Sequence, residues 1–309
     1  MEKIRAAFGA LLAQALLGSA AAADQPAAPL ADVTVVAPRP PEPRELAGDA
    51  LPNFIAAHAR PTVLIGQLPR WRVGICPLTV GLSPAFNAFV SARLRAVAAS
   101  VGAPVQPEGS CSYNVQVFFT TEPQQVMDEL VKRNSALLGF HYPHQARSAA
   151  AFTQPIQGWY VTSTRNYAGI EVTDDPLPLP ALPGALHAAR VPPGLPGSRL
   201  SNGLRSLLVH ALMVADTNKV VGHEIGSISD YLAMLVLSQA QSLDGCGQLP
   251  SILELMSSNC GDRDKPTAIT AGDIAFLRAL YSTDLEQPLG LERSDILNNM
   301  MKQLNAGPR

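Results

Sequence analysis

The chain lacks a surplus of either charge: 23 lysines and arginines stand against 25 aspartates and glutamates in 309 residues. Nucleic acid asks for a basic stripe, so that class of partner is set aside. After the first two dozen residues no uninterrupted apolar run approaches bilayer-spanning length, which predicts a mature protein without an integral membrane segment. There is no GxSxG elbow, no Walker loop and no dinucleotide fingerprint. No cofactor is therefore expected. None of the cysteine spacings is the CxxC of a zinc ribbon or a thioredoxin-like site. What is present is 47% hydrophobic residues, enough for one sizeable core or two small domains.

Residues 1–23 read as a secretory leader: Lys3 and Arg5, an apolar run from Ala6 to Leu17, then Gly-Ser and alanines. Its removal takes away Lys3, Arg5 and Glu2, leaving 21 positive against 24 negative side chains. Residues 24–49, rich in Pro and Ala, read as a disordered tether around one β-prone island, Val33–Val36. That island resembles the short strand by which outer-membrane transporters engage their energising partner, and implies strand addition to another protein. One globular α/β domain is expected over 50–305.

Residues 207–214, LLVHALMV, are apolar on both alternations except at His210, as in a strand covered on both faces. His210 reads as a hydrogen-bonded core histidine. Asp216-Thr217-Asn218 supplies a turn, and Ile225, Ile228, Leu232, Leu235 and Val236 then fall on one helical stripe. Ser227 and Asp230 fit the start of that amphipathic helix, which places His223 and Glu224 ahead of it. Ser83-Pro84 opens another helix with Phe86, Phe89, Val90, Leu94, Val97 and Val101 on its face. Strands are expected over 114–121 and 156–163. A helix capped by Thr121-Glu-Pro should run to Val131, and a short helix is expected over 250–258. Thr270–Asp273 is a capping box, and 291–304 makes a last amphipathic helix. The fold class is thus α/β (α+β): a buried central strand followed by an amphipathic helix, stapled by disulfides. Pro176, Pro178, Pro180, Pro183, Pro192, Pro193 and Pro196 make 174–197 a surface excursion.

The four cysteines, Cys76, Cys111, Cys246 and Cys260, form an even set behind a leader, which predicts two disulfides made outside the cytoplasm. Three pairings are possible. The local one, Cys76–Cys111 with Cys246–Cys260, encloses one expected helix in each loop.

Gly222-His223-Glu224-Ile225-Gly226 resembles the opening of the metzincin zinc-protease helix HExxHxxGxxH, and 270–281 resembles the helix that often follows it. That family grips zinc with imidazoles one turn apart and activates water with the intervening Glu. Here Ser227 stands at the second ligand position, Asp230 at the glycine and Ala233 at the third ligand. The resemblance implies a degenerate, non-catalytic relative, or a zincin-like hydrolase with substituted metal ligands. A broader resemblance, carried by 70–80, 117–123, 156–160, 197–205, 230–239 and 269–281, is to a family of secreted Gram-negative proteins with no assigned activity. It implies domain limits near 53 and 285.

The remaining candidates are few. His141 and His144 bracket Tyr-Pro as a weak metal pair, Trp159 and Tyr160 are candidates to line a pocket, and Arg199 and Arg205 to meet an anion or bridge carboxylates. No catalytic residue and no metal is assigned. The leading expectation is a periplasmic or secreted binding protein acting on an unknown protein or cell-envelope ligand.

Overall fold

The computed structural model describes residues 49–175, 191–194, 201–240, 243, 245–262, 264–284 and 286–306. The leader and nearly all of the tether, like most of the proline-rich excursion and Arg199, lie outside the described residues. The elements are α1 (Leu51–His58), β1 (Arg70–Trp71), β2 (Pro77–Val80), α2 (Pro84–Ser100), β3 (Val115–Thr120), α3 (Pro123–Asn134) and α4 (Ala146–Ala149). They continue with β4 (Ile156–Asn166), β5 (Glu171–Thr173), β6 (Leu204–Asp216), α5 (Thr217–Val220), α6 (Ile225–Ser238), α7 (Ala271–Ser282) and α8 (Leu289–Asn305).

One mixed sheet runs in the order β2-β3-β6-β4-β5. β2, β3 and β6 are mutually parallel, β4 runs antiparallel to β6, and β5 antiparallel to β4. β1 pairs with the first half of β6, Arg70 opposite Leu207, on the edge that β3 takes further along. The sequence reading of β6 as a strand covered on both faces holds. Ala211, Met213 and Ala215 join β3 and Ile156 in a large core with α1, α2, α6, α7 and α8. Leu212 and Val214 turn to the other face, where Trp159, Met127 and Leu138 cover them. A bulge between Val161 and Thr162 leaves Val209 without a partner in β4.

α6 departs from its expected form in two ways. It begins at Ile225, with Glu224 at the N-cap, not at Ser227. Ser227 and Asp230 are spent elsewhere: the Ser227 hydroxyl donates to the Thr267 carbonyl, while Asp230 accepts from Arg93 (Nε to Oδ1, 2.6 Å) and from the Ile269 N–H (2.9 Å). Nor is the helix amphipathic. Every residue from Ser227 to Ser238 is buried, and its polar side chains survive there because each has a partner; Ser229 and Ser238 donate to carbonyls four residues back.

Elsewhere, Thr270 and Asp273 form the expected capping box on α7. Ser83 and Glu122 occupy N-cap positions without a capping side-chain bond, the following prolines setting the first turn. The helix expected over 250–258 contracts to a single 3-10 turn, Ile252–Glu254, because the Ile252 N–H and the Ser251 hydroxyl are both drawn to Asp273. Both disulfides are present in the local pairing, Cys76–Cys111 and Cys246–Cys260.

Candidate functional site

The surface concavity with the most convergent chemistry lies along the outer edge of β4. It has a volume of about 290 Å³ and is lined by Pro61–Leu64 on one side, by Leu138, Phe140, Ser148 and Ala149 on the other, and by Gln157–Tyr160, Thr162, Asp174 and Gln239 between them. Both aromatic candidates from the sequence, Trp159 and Tyr160, are on its floor. Each is also anchored: Trp159 Nε1 donates to the Ala149 carbonyl (2.6 Å), and the Tyr160 hydroxyl donates toward Leu235 and Ala240 carbonyls (2.9 and 3.2 Å). Burial pushes that phenol up, so it stays a donor.

Strand alternation explains why this edge is open. Asp216 donates its N–H to Pro155 and Ala211 its N–H to Asn114, so the even-numbered residues of β6 face β4 and the odd ones face β3. In the β4–β6 register Gly158 and Tyr160 lie opposite Met213 and Ala211, and their own backbone groups therefore point away from β6. Thr162 and Asn166 point the same way, toward β5: Asp174 donates to the Thr162 carbonyl and Asn166 to the Ile170 carbonyl. Were the β4–β5 register to continue, it would set Pro176 opposite Tyr160 and Pro178 opposite Gly158. Proline has no N–H to give, and the ladder ends at Thr173. Among the described residues nothing pairs with the outward backbone groups of Gly158.

Tyr160 is partly screened. Gly139, at φ 75°, packs its backbone so closely that an added Cβ would overlap the Tyr160 carbonyl oxygen. Gly139→Ala should therefore cost about 2 kcal/mol or more, from the left-handed backbone and the clash together, and a urea titration will show it as a lower midpoint.

Asp174 and Gln239 give the cleft its polarity. Asp174 is buried and accepts from the hydroxyls of Thr162 (2.6 Å) and Thr164 (3.0 Å); burial, only partly offset by those bonds, raises its carboxyl above the usual range. No cationic side chain pairs with it among the described residues. Gln239, the C-cap of α6, is the one non-glycine residue with positive φ among those described, 53°, and its buried Oε1 has no partner among them. The left-handed backbone is that of an ordinary helix C-cap; the unmet buried acceptor is one that a donor from a ligand would satisfy.

The other candidates do not converge. His223 sits in the turn before α6 with Glu224 exposed beside it, so both precede the helix, as the sequence implied. The Asp262 carboxyl is held low mainly by Lys265 and slightly by His223. His141 is buried, with Nδ1 2.8 Å from the Gly139 carbonyl, whereas His144 is exposed and stacks on Tyr142. Among the described residues the one close group of three potential metal ligands is Cys246, Glu254 and Cys260, and both of its sulfurs are already in a disulfide. Arg205 bridges a carboxylate, Glu286 (Nε to Oε1, 2.7 Å). His210 departs from its sequence reading: its Nδ1 is buried without a hydrogen bond among the described residues, and burial pulls the imidazole down to about 4.

Nothing along the chain marks Pro61–Leu64, Gln239 or Asp174 as site residues. The period-two prolines after Asp174 were the available signal, since they mark where an antiparallel partner must stop donating. No family model, no curated protein and no solved structure matches the chain.

Proposed function

We propose that the chain is a secreted or periplasmic binding protein without chemistry of its own, and that it takes a short extended segment of a partner polypeptide in the cleft along β4. One observation carries this reading: the edge of β4 at Gly158, whose outward backbone groups have no partner among the described residues, opens into a concavity. Strand edges bind extended peptides through the main chain, with flanking pockets reading the side chains. The apolar flanks Val63, Leu64, Leu138 and Phe140 suit apolar side chains, and Asp174 suits a donor or cation at the β5 end. The two disulfides support an oxidising compartment.

The cleft is also far from the zincin-like string. Gln239 follows the last turn of α6 and His223 precedes the first, some 20 Å apart by helix rise.

A random peptide library displayed on phage and selected on the oxidised protein tests the reading. Selected peptides should bind wild type and lose roughly tenfold or more in affinity to Val63→Asp and Gln239→Leu, a loss of order 1.4 kcal/mol. No selectable peptide, or equal binding to both variants, would overturn it.

A further inference from the structure

α1 ends in a histidine whose hydrogen bonds do not balance without an extra proton. His58 is 1% exposed, stacks on Phe54 with ring centroids 3.9 Å apart, and lies 5.8 Å from the Phe276 ring. Its Nδ1 is 2.6 Å from the Phe54 carbonyl oxygen, which can only accept, so Nδ1 carries a hydrogen. Its Nε2 is 2.9 Å from the Ser251 hydroxyl oxygen, and that oxygen is 2.7 Å from Asp273 Oδ1. Each of these two contacts needs a hydrogen between its atoms, and the hydroxyl brings one. A neutral imidazole protonated on Nδ1 has none left at Nε2, and an ionised carboxylate has none at all. With Ser251 and Asp273 both fully buried, a bare lone-pair contact would be costly.

We infer that His58, Ser251 and Asp273 hold one proton beyond those of a neutral imidazole, a hydroxyl and a carboxylate, and that this shared proton latches the Pro61–Leu64 wall of the cleft to the body of the protein. Two arrangements satisfy the chain: an imidazolium with an ionised Asp273, or a neutral imidazole with a protonated Asp273. Both are neutral as a unit. The surrounding groups divide between them. Burial works against charge on His58 and Asp273 works for it. Asp273 Oδ2 also accepts from the N–H groups of Ile252, in the 3-10 turn, and of Thr270, the N-cap of α7, and the buried Glu254 carboxyl, raised mainly by its burial and also by Asp273, is the next acidic group. From α8, Arg293 reaches the neighbouring Ala59 carbonyl at 3.2 Å.

His58 is the last residue of α1, and the cleft wall begins three residues later. The wall is held locally by Thr62 N–H to Gln67 and Gly66 N–H to Thr62, and farther on by Leu68 N–H to Glu292. Deprotonation at high pH leaves one contact of the chain without its hydrogen and releases the end of α1. The effect on ligand rests on the cleft reading; the proton itself does not.

Side-chain NMR on the labelled, disulfide-bonded protein at neutral pH counts the proton. Both ring nitrogens of His58 protonated beside an ionised Asp273, or one protonated beside a carboxylic acid, supports the inference. A bare Nε2 beside an ionised Asp273 overturns it. Amide exchange then tests the latch. Ser251→Ala and His58→Gln, which break the chain from its middle and from its end, should each speed exchange at Thr62 and Gly66 about tenfold while β3 and β6 keep their protection. Unchanged exchange at Thr62 and Gly66 in both variants would remove the latch and leave the peptide-binding reading standing.

Discussion

Arg70→Met should lower the unfolding free energy by about 3–5 kcal/mol, the cost of leaving a buried charge without its partner, and the melting temperature by roughly 10 °C for a chain of this size. Arg70 is 2% exposed and Glu292 fully buried; Nη2 meets Oε1 at 3.0 Å. The pair ties three regions together. Arg70 Nη1 also donates to the Thr283 carbonyl after α7, and Glu292 Oε2 accepts from the Leu68 N–H. Glu292→Leu alone should cost at least as much as Arg70→Met, because a stranded guanidinium cannot shed its charge as Glu292 can by taking up a proton. The double variant Arg70→Met/Glu292→Leu should cost far less than the sum, because two buried charges go together and only neutral hydrogen bonds are lost. Strict additivity in urea titrations would refute this.

The same pair sets a pH dependence. Burial pushes Glu292 up to about 7 even with Arg70 beside it, against about 4.3 in an unfolded chain. The folded state thus binds this proton more tightly than the unfolded state. The stability it confers is fully present below the unfolded value and is lost as pH rises through about 7, by something on the order of 1–3 kcal/mol. Glu292→Gln should flatten the urea midpoint between pH 5 and 8; a wild-type midpoint that climbs over that interval would contradict the assignment.

Reduction should have the second large effect. By chain entropy the Cys76–Cys111 bridge, closing 35 residues, contributes about 4 kcal/mol and the Cys246–Cys260 bridge, closing 14, about 3. Together they approach the whole stability of an ordinary domain, about 5–15 kcal/mol, so a thiol reductant should bring the protein to the edge of unfolding. The order is set by access: Cys246 is exposed while Cys76 is fully buried, and Cys246–Cys260 should open first. Mass mapping of alkylated thiols over time reads both points; loss of Cys76–Cys111 first would reverse the assignment of access.

Local physics made much of the framework readable in advance. β6 shows apolar residues on both alternations because both faces are covered, and the Thr270–Asp273 box needs four consecutive residues to announce a helix start. The local disulfide pairing was reached by enclosing one expected helix in each loop, and it is the one present, although the second loop holds only a 3-10 turn. The misreadings came where a distant partner outbid a local one. Ser227 and Asp230 look like a cap until Thr267, Ile269 and Arg93 claim them. The 250–258 helix fails because Asp273 takes its first N–H. The site suffers most from this. Tyr160 and Trp159 were visible as strand aromatics, but the cleft also needs Thr62 and Gln239, whose nearness no spacing encodes. His58 and Ser251 are separated by 193 positions, and no pattern along the chain links them.

The complete enclosure of α6 bears on how the molecule reaches its native state. Its apolar surface is sealed by α2, which is made before it, and by the 252–254 turn and α7, which come after it. Until those last two elements are synthesised, the segment is a sticky cylinder with no cover on one flank. Chains stopped short of residue 271 should therefore collapse into aggregates or require a chaperone, and export across a membrane as an unfolded thread would let all the walls close around that cylinder at once.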